Sequence, residues 1–299
     1  MSLSSALLKF WFIHRTVRIP WSEIQISRTP DPHKRPYWDP STSQTVSDRL
    51  AKNSTTPNLE FNVSHQAGLV GLAGTVLPPG SAPPLTVSTA HGATTTTSSL
   101  DPAPIQSSTQ VTVPASIRLG LDITSPAESK RQPTLNKPQD LYDWVEIFSE
   151  VFHPLEIDHM KFAPISQHGQ SSTSTRNSDA EPLFAKLRRF YAFFALKEAY
   201  VKMTGEALLA KWLRDVEFKN VEVPAEIEEG WGHSELGTEV WYQGTRVEGV
   251  QMVSRAWGKE FIVSLAIDGN AKVEDQKWKL LDWKNDIEQC ATGACSCLG

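Results

Sequence analysis

A long helical pattern from Pro182 to Asp215 constrains this chain more than any other stretch of it. Leu187, Tyr191 and Phe194 recur at spacings of four and three, which marks one buried stripe. Continuing the stripe by fours reaches Glu198 and then Lys202, inside the run FALKEAYVKMTG. A core helix therefore runs straight into charge. An i,i+4 ion pair on a solvated helix end is one reading, worth a few tenths of a kcal/mol. A site at the helix end is the other, because a charge on a buried face is costly unless it is paired or bound.

The composition narrows what such a site serves. The 299 residues are 39% hydrophobic and 21% charged, with a formal net charge of −5. A general nucleic-acid binder would carry a basic excess, so none is expected, and any phosphate must be held locally. No window approaches the roughly 18 uninterrupted apolar residues of a membrane span. The opening MSLSSALLKFWFIHR is interrupted by Lys9 and reads as an amphipathic helix over Ser4–His14, not a secretory signal. All three cysteines, Cys290, Cys295 and Cys297, lie in the last ten residues; their C-x4-C-x-C spacing could hold a metal, but with no histidine near them in sequence and a Gly- and Ala-rich surrounding the tail is expected to fray. That usage suits a reducing, cytoplasmic setting.

Low-complexity segments divide the chain. Residues 75–116 hold many Ser, Thr and Pro, a single charge and no aromatic, and read as a disordered insertion. A second polar loop covers 164–181. Before the insertion, residues 1–74 offer the first helix, an extended IQISRTP, the polar DPHKRPYWDP and LEFNVSHQAGLVGLAG, read as two strands joined around Ser64 and His65. After it, in 117–299, come the strand SIRLGLDIT ending at Asp122, a helix near Asp140–Phe152, the long helix and a meander of strands. Strands and helices mix without βαβ alternation, so the fold class is α+β.

Several residues stay open on pattern alone. Asp122 at a strand end reads as a cap or turn residue, or as one of two carboxylates, with Glu198, of an oxygen-ligand Mg²⁺ site. His65 reads as a satisfied polar residue or a ligand, and Lys34 and Arg35 by default as solvated loop.

Taken in order, FNVSHQAGLVGLAG, LGLDIT and FALKEAYVKMTG resemble the motifs of the 4′-phosphopantetheinyl transferases of the surfactin-synthetase-activating type, fungal branch. The resemblance spans Ser4 to about Ile267 and includes IPWSEIQISRTPDPHKRPYW. It implies a pseudo-two-fold α+β fold, with coenzyme A in the cleft between two similar halves. It also implies a holo-[acyl-carrier-protein] synthase activity. Phosphopantetheine passes from coenzyme A to a serine of an apo carrier domain, leaving adenosine 3′,5′-bisphosphate. The carriers would be those of polyketide or peptide synthetases in secondary metabolism, or of aminoadipate reductase in lysine biosynthesis. Carried onto this chain, Asp122 and Glu198 would hold Mg²⁺, Lys202 and the neighbouring Lys197 would bind pyrophosphate, and Glu198 or a metal-bound water would take the serine proton. Ser64 and His65 would contact the phosphates of coenzyme A, and Lys34, Arg35 and Pro36 its nucleotide end. A monomer is implied.

Three positions depart from the family pattern. Thr124 stands where a second acidic residue is frequent, so water would complete the metal shell. Phe194 and Ala195 replace the usual Trp-containing opening before KEA. Fungal relatives carry several tens of residues before the segment resembling MSLSSALLKFWFIHR, so the first half is expected to be truncated. A relative that binds coenzyme A or carrier without transfer is then the alternative reading.

Overall fold

The expected first helix forms as α1, Leu3–Val17, and turns Ile13 and Val17 onto Ile19, Ile24, Trp38, Val46, Leu59 and Phe61, the core of the N-terminal part. The computed structural model describes residues 3–30, 34–52, 55–77, 117–128, 133–164, 181–206, 210–269 and 278–298. Strands β1 (Ile26–Arg28) and β2 (Pro36–Trp38) pair antiparallel. Helix α2 (Gln44–Ala51) is capped by Ser43, whose Oγ accepts from the Val46 amide at 3.3 Å.

The two strands expected in LEFNVSHQAGLVGLAG are β3 (Asn58–Gln66) and β4 (Leu69–Leu77), but the turn is not at Ser64 and His65. It falls at Ala67 and Gly68, whose φ angles of 45° and 87° give the mirror-image turn that matches strand twist. Ser64 and His65 therefore stand inside β3, opposite Gly71 and Val70. Strand β4 also absorbs Thr75–Leu77, so the expected insertion begins later; residues 78–116 lie outside the described residues, as do 165–180 of the second loop.

In the C-terminal part β5 (Arg118–Thr124), β9 (Val250–Trp257) and β10 (Phe261–Asp268) form an antiparallel sheet in the order β5-β10-β9. Asp122 is followed by two more strand residues and faces Ser264 across the ladder, so it does not end the strand. The helix expected near Asp140–Phe152 is shorter and earlier: α3 covers Pro138–Glu146, and α4 (Pro154–Phe162) starts afresh after a turn. Helix α5 covers Glu181–Thr204 and stops well before Asp215. Gly205, at φ 88°, takes the left-handed position while its amide donates to Val201 O at 2.9 Å, which is how a glycine ends a helix. A small sheet follows: β6 (Val216–Lys219), β7 (Glu239–Tyr242) and β8 (Thr245–Arg246), the last two joined through Gln243 and Gly244. The last helix, α6 (Gln289–Ala291), follows a π-helical turn at Trp283–Glu288. The tail does not fray: Trp11 Nε1 of α1 donates to Asp286 O at 2.9 Å, and Cys290 is buried. Among the described residues, helices and antiparallel sheets combine without βαβ units, an α+β arrangement.

The N- and C-terminal parts meet along β3 and β5. Glu60 Oε1 accepts from the Leu119 amide at 3.2 Å, Asn62 Oδ1 from Leu121 at 3.0 Å and Ser64 Oγ from Ile123 at 3.2 Å. Alternate side chains of β3 thus satisfy alternate amides of β5, where a neighbouring strand would otherwise supply carbonyls. On its other face β5 lies against α5. A Cβ on Gly120 would come within 2.0 Å of Ala199 O and 2.3 Å of the Met203 amide, so only glycine permits that approach. This contact brings Asp122 level with Glu198 and Lys202.

Candidate active site

Asp122 is 4% exposed, yet its carboxylate is fully engaged. Lys202 Nζ lies 2.7 Å from Asp122 Oδ1 and also donates to Ser64 Oγ at 3.1 Å. The Ser64 hydroxyl donates to Asp122 Oδ1 at 3.3 Å, so one serine links β3, β5 and α5. Thr124 Oγ1 donates to Asp122 Oδ2 at 2.7 Å. The residue in the place of a second acid therefore anchors the first.

Glu198 is different. Its carboxylate makes no hydrogen bond among the described residues, and it lines the same cavity as Asp122 and Lys202. Burial pushes its carboxyl above the usual range, the nearby Asp122 charge pushes it further, and Lys202 only partly opposes them. Two carboxylates share one lysine, which leaves the cluster short of positive charge. A divalent cation with a preference for oxygen ligands fits that deficit.

The cavity holds about 770 Å³. Ser64, His65, Gln66, Asp122, Thr124, Ser125, Glu198 and Lys202 form a polar side, with Ser5 of α1 at its edge. Trp144, Phe148, Phe190, Tyr191 and Phe194 form an aromatic wall from α3, α5 and the turn after α3. Phe148 packs on Phe190 and Phe194 with centroids 5.0 and 5.8 Å apart, tilted and edge-on, so the wall is one continuous cluster of rings. A site of this kind can hold a charged group at one side and an apolar arm along the other.

Of the residues proposed from sequence, Ser64, His65, Asp122, Glu198 and Lys202 come together here. Lys197 does not. It is fully buried, 3.0 Å from Glu156 Oε2, and donates to the Leu213 and Val216 carbonyls, because the next residue round the helix turns away from the cavity. Lys34, Arg35 and Pro36 also stand outside the cavity lining. The Arg35 guanidinium pairs with Glu60 at 2.5 Å and donates to Met203 O and Leu119 O, bracing β3, β5 and the end of α5. Sequence reasoning missed Gln66, Ser125, Ser5 and the aromatic wall. The alternation through Asn62, Ser64 and Gln66 was a usable signal for a polar strand face.

With this geometry in view, the comparisons with known proteins are direct. Residues 1–77 match the family described as "4'-phosphopantetheinyl transferase, N-terminal", and residues 118–235 match the "4'-phosphopantetheinyl transferase superfamily". The chain is 38% identical to 4'-phosphopantetheinyl transferase A of Aspergillus fumigatus, over 99% of its own length and 84% of that protein. It is 37% identical to 4'-phosphopantetheinyl transferase NpgA of Emericella nidulans, over 100% and 84%. A 4'-phosphopantetheinyl transferase of Aureobasidium melanogenum is 31% identical over 96% and 82%. The chain belongs to the 4′-phosphopantetheinyl transferase family, which makes it a transferase.

Proposed function

We propose that this protein transfers 4′-phosphopantetheine from coenzyme A to a serine of an apo carrier domain, at the cavity between β5 and α5. The observation that supports it is the convergence of Asp122, Glu198 and Lys202 from two elements in one cavity, in a chain of this family. Ser64 and His65 add phosphate contacts from β3, and Lys34 and Pro36 are the candidates for the nucleotide end. Arg35 and Lys197 are spoken for by Glu60 and Glu156. The two parts of the chain that meet along β3 and β5 are read as the duplicated halves of the family fold.

The chemistry follows from the charges. The carrier serine attacks the phosphorus bearing pantetheine; an O–P bond forms as the pyrophosphate P–O bond breaks, and adenosine 3′,5′-bisphosphate leaves. Lys202 would receive pyrophosphate oxygens as a point charge. Glu198 is the base for the serine proton, since its raised pKa makes it a better proton acceptor than an ordinary carboxylate. Asp122 and Glu198 would hold Mg²⁺, which supplies neutralisation of the pyrophosphate charge when bound. The aromatic wall suits the pantetheine arm or the docking face of the carrier. Carriers of polyketide and peptide synthetases and of aminoadipate reductase are the substrates to try.

The test is an incubation of the protein with such apo carriers, coenzyme A and Mg²⁺, read by intact mass. A gain of one phosphopantetheine per carrier is expected from the wild type and none from Glu198→Gln. Unmodified carriers throughout, beside a control transferase that loads them, would overturn the proposal.

A further inference from the structure

The last turn of α1 brings a histidine onto the three cysteines that close the chain. His14, Cys290, Cys295 and Cys297 gather so that their ring nitrogen and sulfurs all lie within 4.8 Å of one another. His14 Nε2 is 3.1 Å from Cys295 Sγ, and the sulfurs of Cys290 and Cys297 are 3.7 Å apart. A tetrahedral zinc with ordinary Zn–S and Zn–N bonds separates its ligand atoms by about 3.5–3.8 Å. The cluster is therefore within about 1 Å of the dimensions of a single coordination shell.

We propose that these four residues bind one structural zinc ion that clasps the C-terminal tail to α1. The histidine is prepared for it. His14 is 1% exposed, and its Nδ1 lies 2.7 Å from the Ile19 carbonyl oxygen. A carbonyl only accepts, so Nδ1 carries the proton and Nε2 offers its lone pair to the sulfurs, the outer-shell arrangement typical of zinc-bound histidine. Binding releases the three thiol protons to solvent. Three thiolates, a neutral imidazole and Zn²⁺ leave one net negative charge, and Arg15 Nη1 stands 2.9 Å from Cys297 Sγ to balance it. Four protein ligands leave no open position, so the site is structural and not catalytic. Because α1 also carries Ser5 to the cavity, the clasp steadies an element that borders the transfer site.

The experiment uses the full chain, purified under reducing conditions without chelators and analysed for metal. One zinc per chain is expected, released when the thiols are blocked. Cys295→Ser and Cys297→Ser should each lower bound zinc about tenfold or more, while Asp122→Asn, at the transfer site, keeps it. Cobalt exchanged into the wild type should show thiolate-to-metal absorption that Cys297→Ser removes. Should His14→Gln fail to fold, the half-buried Cys297 variant still decides the matter. Three freely reactive thiols after zinc addition, or zinc content unchanged by these variants, would each overturn the proposal.

Discussion

Two lysines of α5 meet opposite environments. Lys202 is 29% exposed on the side chain and faces the cavity, whereas Lys197 is enclosed with Glu156. Burial lowers the pKa of Lys197 and raises that of Glu156, each opposed by its partner's charge. Glu156 also accepts from the Phe218 amide at 2.7 Å, so its carboxylate is the centre of a buried network. Lys197→Met should leave that carboxylate without its counter-charge and cost about 3–5 kcal/mol of stability, measured by urea unfolding. A variant as stable as the wild type would show the pair to be dispensable. At the site, the raised pKa of Glu198 sets a sign for pH. A cation held by Asp122 and Glu198 needs both carboxylates ionised, so affinity is full above the raised value and declines as pH falls through it. The Mg²⁺ concentration giving half-maximal transfer should therefore begin to rise, as the pH is lowered, before the ordinary glutamate range is reached. A flat profile down to that range would contradict the assignment.

At the scale of elements, the closeness of β5 to α5 builds the site, and Gly120 permits it. Gly120→Ala should push the strand from Ala199 O and the Met203 amide, costing about 3 kcal/mol or more, and weaken Mg²⁺ dependence by separating Asp122 from Glu198. Unchanged unfolding and unchanged Mg²⁺ response would show that the contact relaxes freely. Much of α5 was legible beforehand, because Leu187, Tyr191 and Phe194 announce a buried stripe by spacing alone. Its end was overrun because Gly205 acts through a left-handed backbone, a signal weaker than the helical pattern around it. The turn of the β3–β4 hairpin was misplaced for a related reason: the polar pair Ser64–His65 looked like punctuation, while the true turn uses Ala67 in an uncommon positive-φ state.

Across the whole molecule, the seam between β3 and β5 explains what periodicity could not show. Glu60, Asn62 and Ser64 alternate with apolar neighbours, which reads as a strand with one face in water. Both faces are covered, and the polar one serves β5. Asn62→Leu should strand the buried Leu121 amide and cost about 1–3 kcal/mol, checked by denaturant unfolding; no loss would mean that the amide finds another partner. The clustering of His14 with the tail cysteines was equally hidden, since it joins the two ends of the chain. Likewise the periodicity of α5 placed Glu198 and Lys202 on an inward face, but their meeting with Asp122 and Ser64 depends on contacts between elements far apart in sequence. The measurement that bears most directly on the account is the single-turnover rate of carrier loading by Asp122→Asn at saturating coenzyme A and Mg²⁺. The account predicts a loss of about 100-fold or more in a variant whose unfolding curve shows it folded under the assay conditions; loading at the wild-type rate would contradict it.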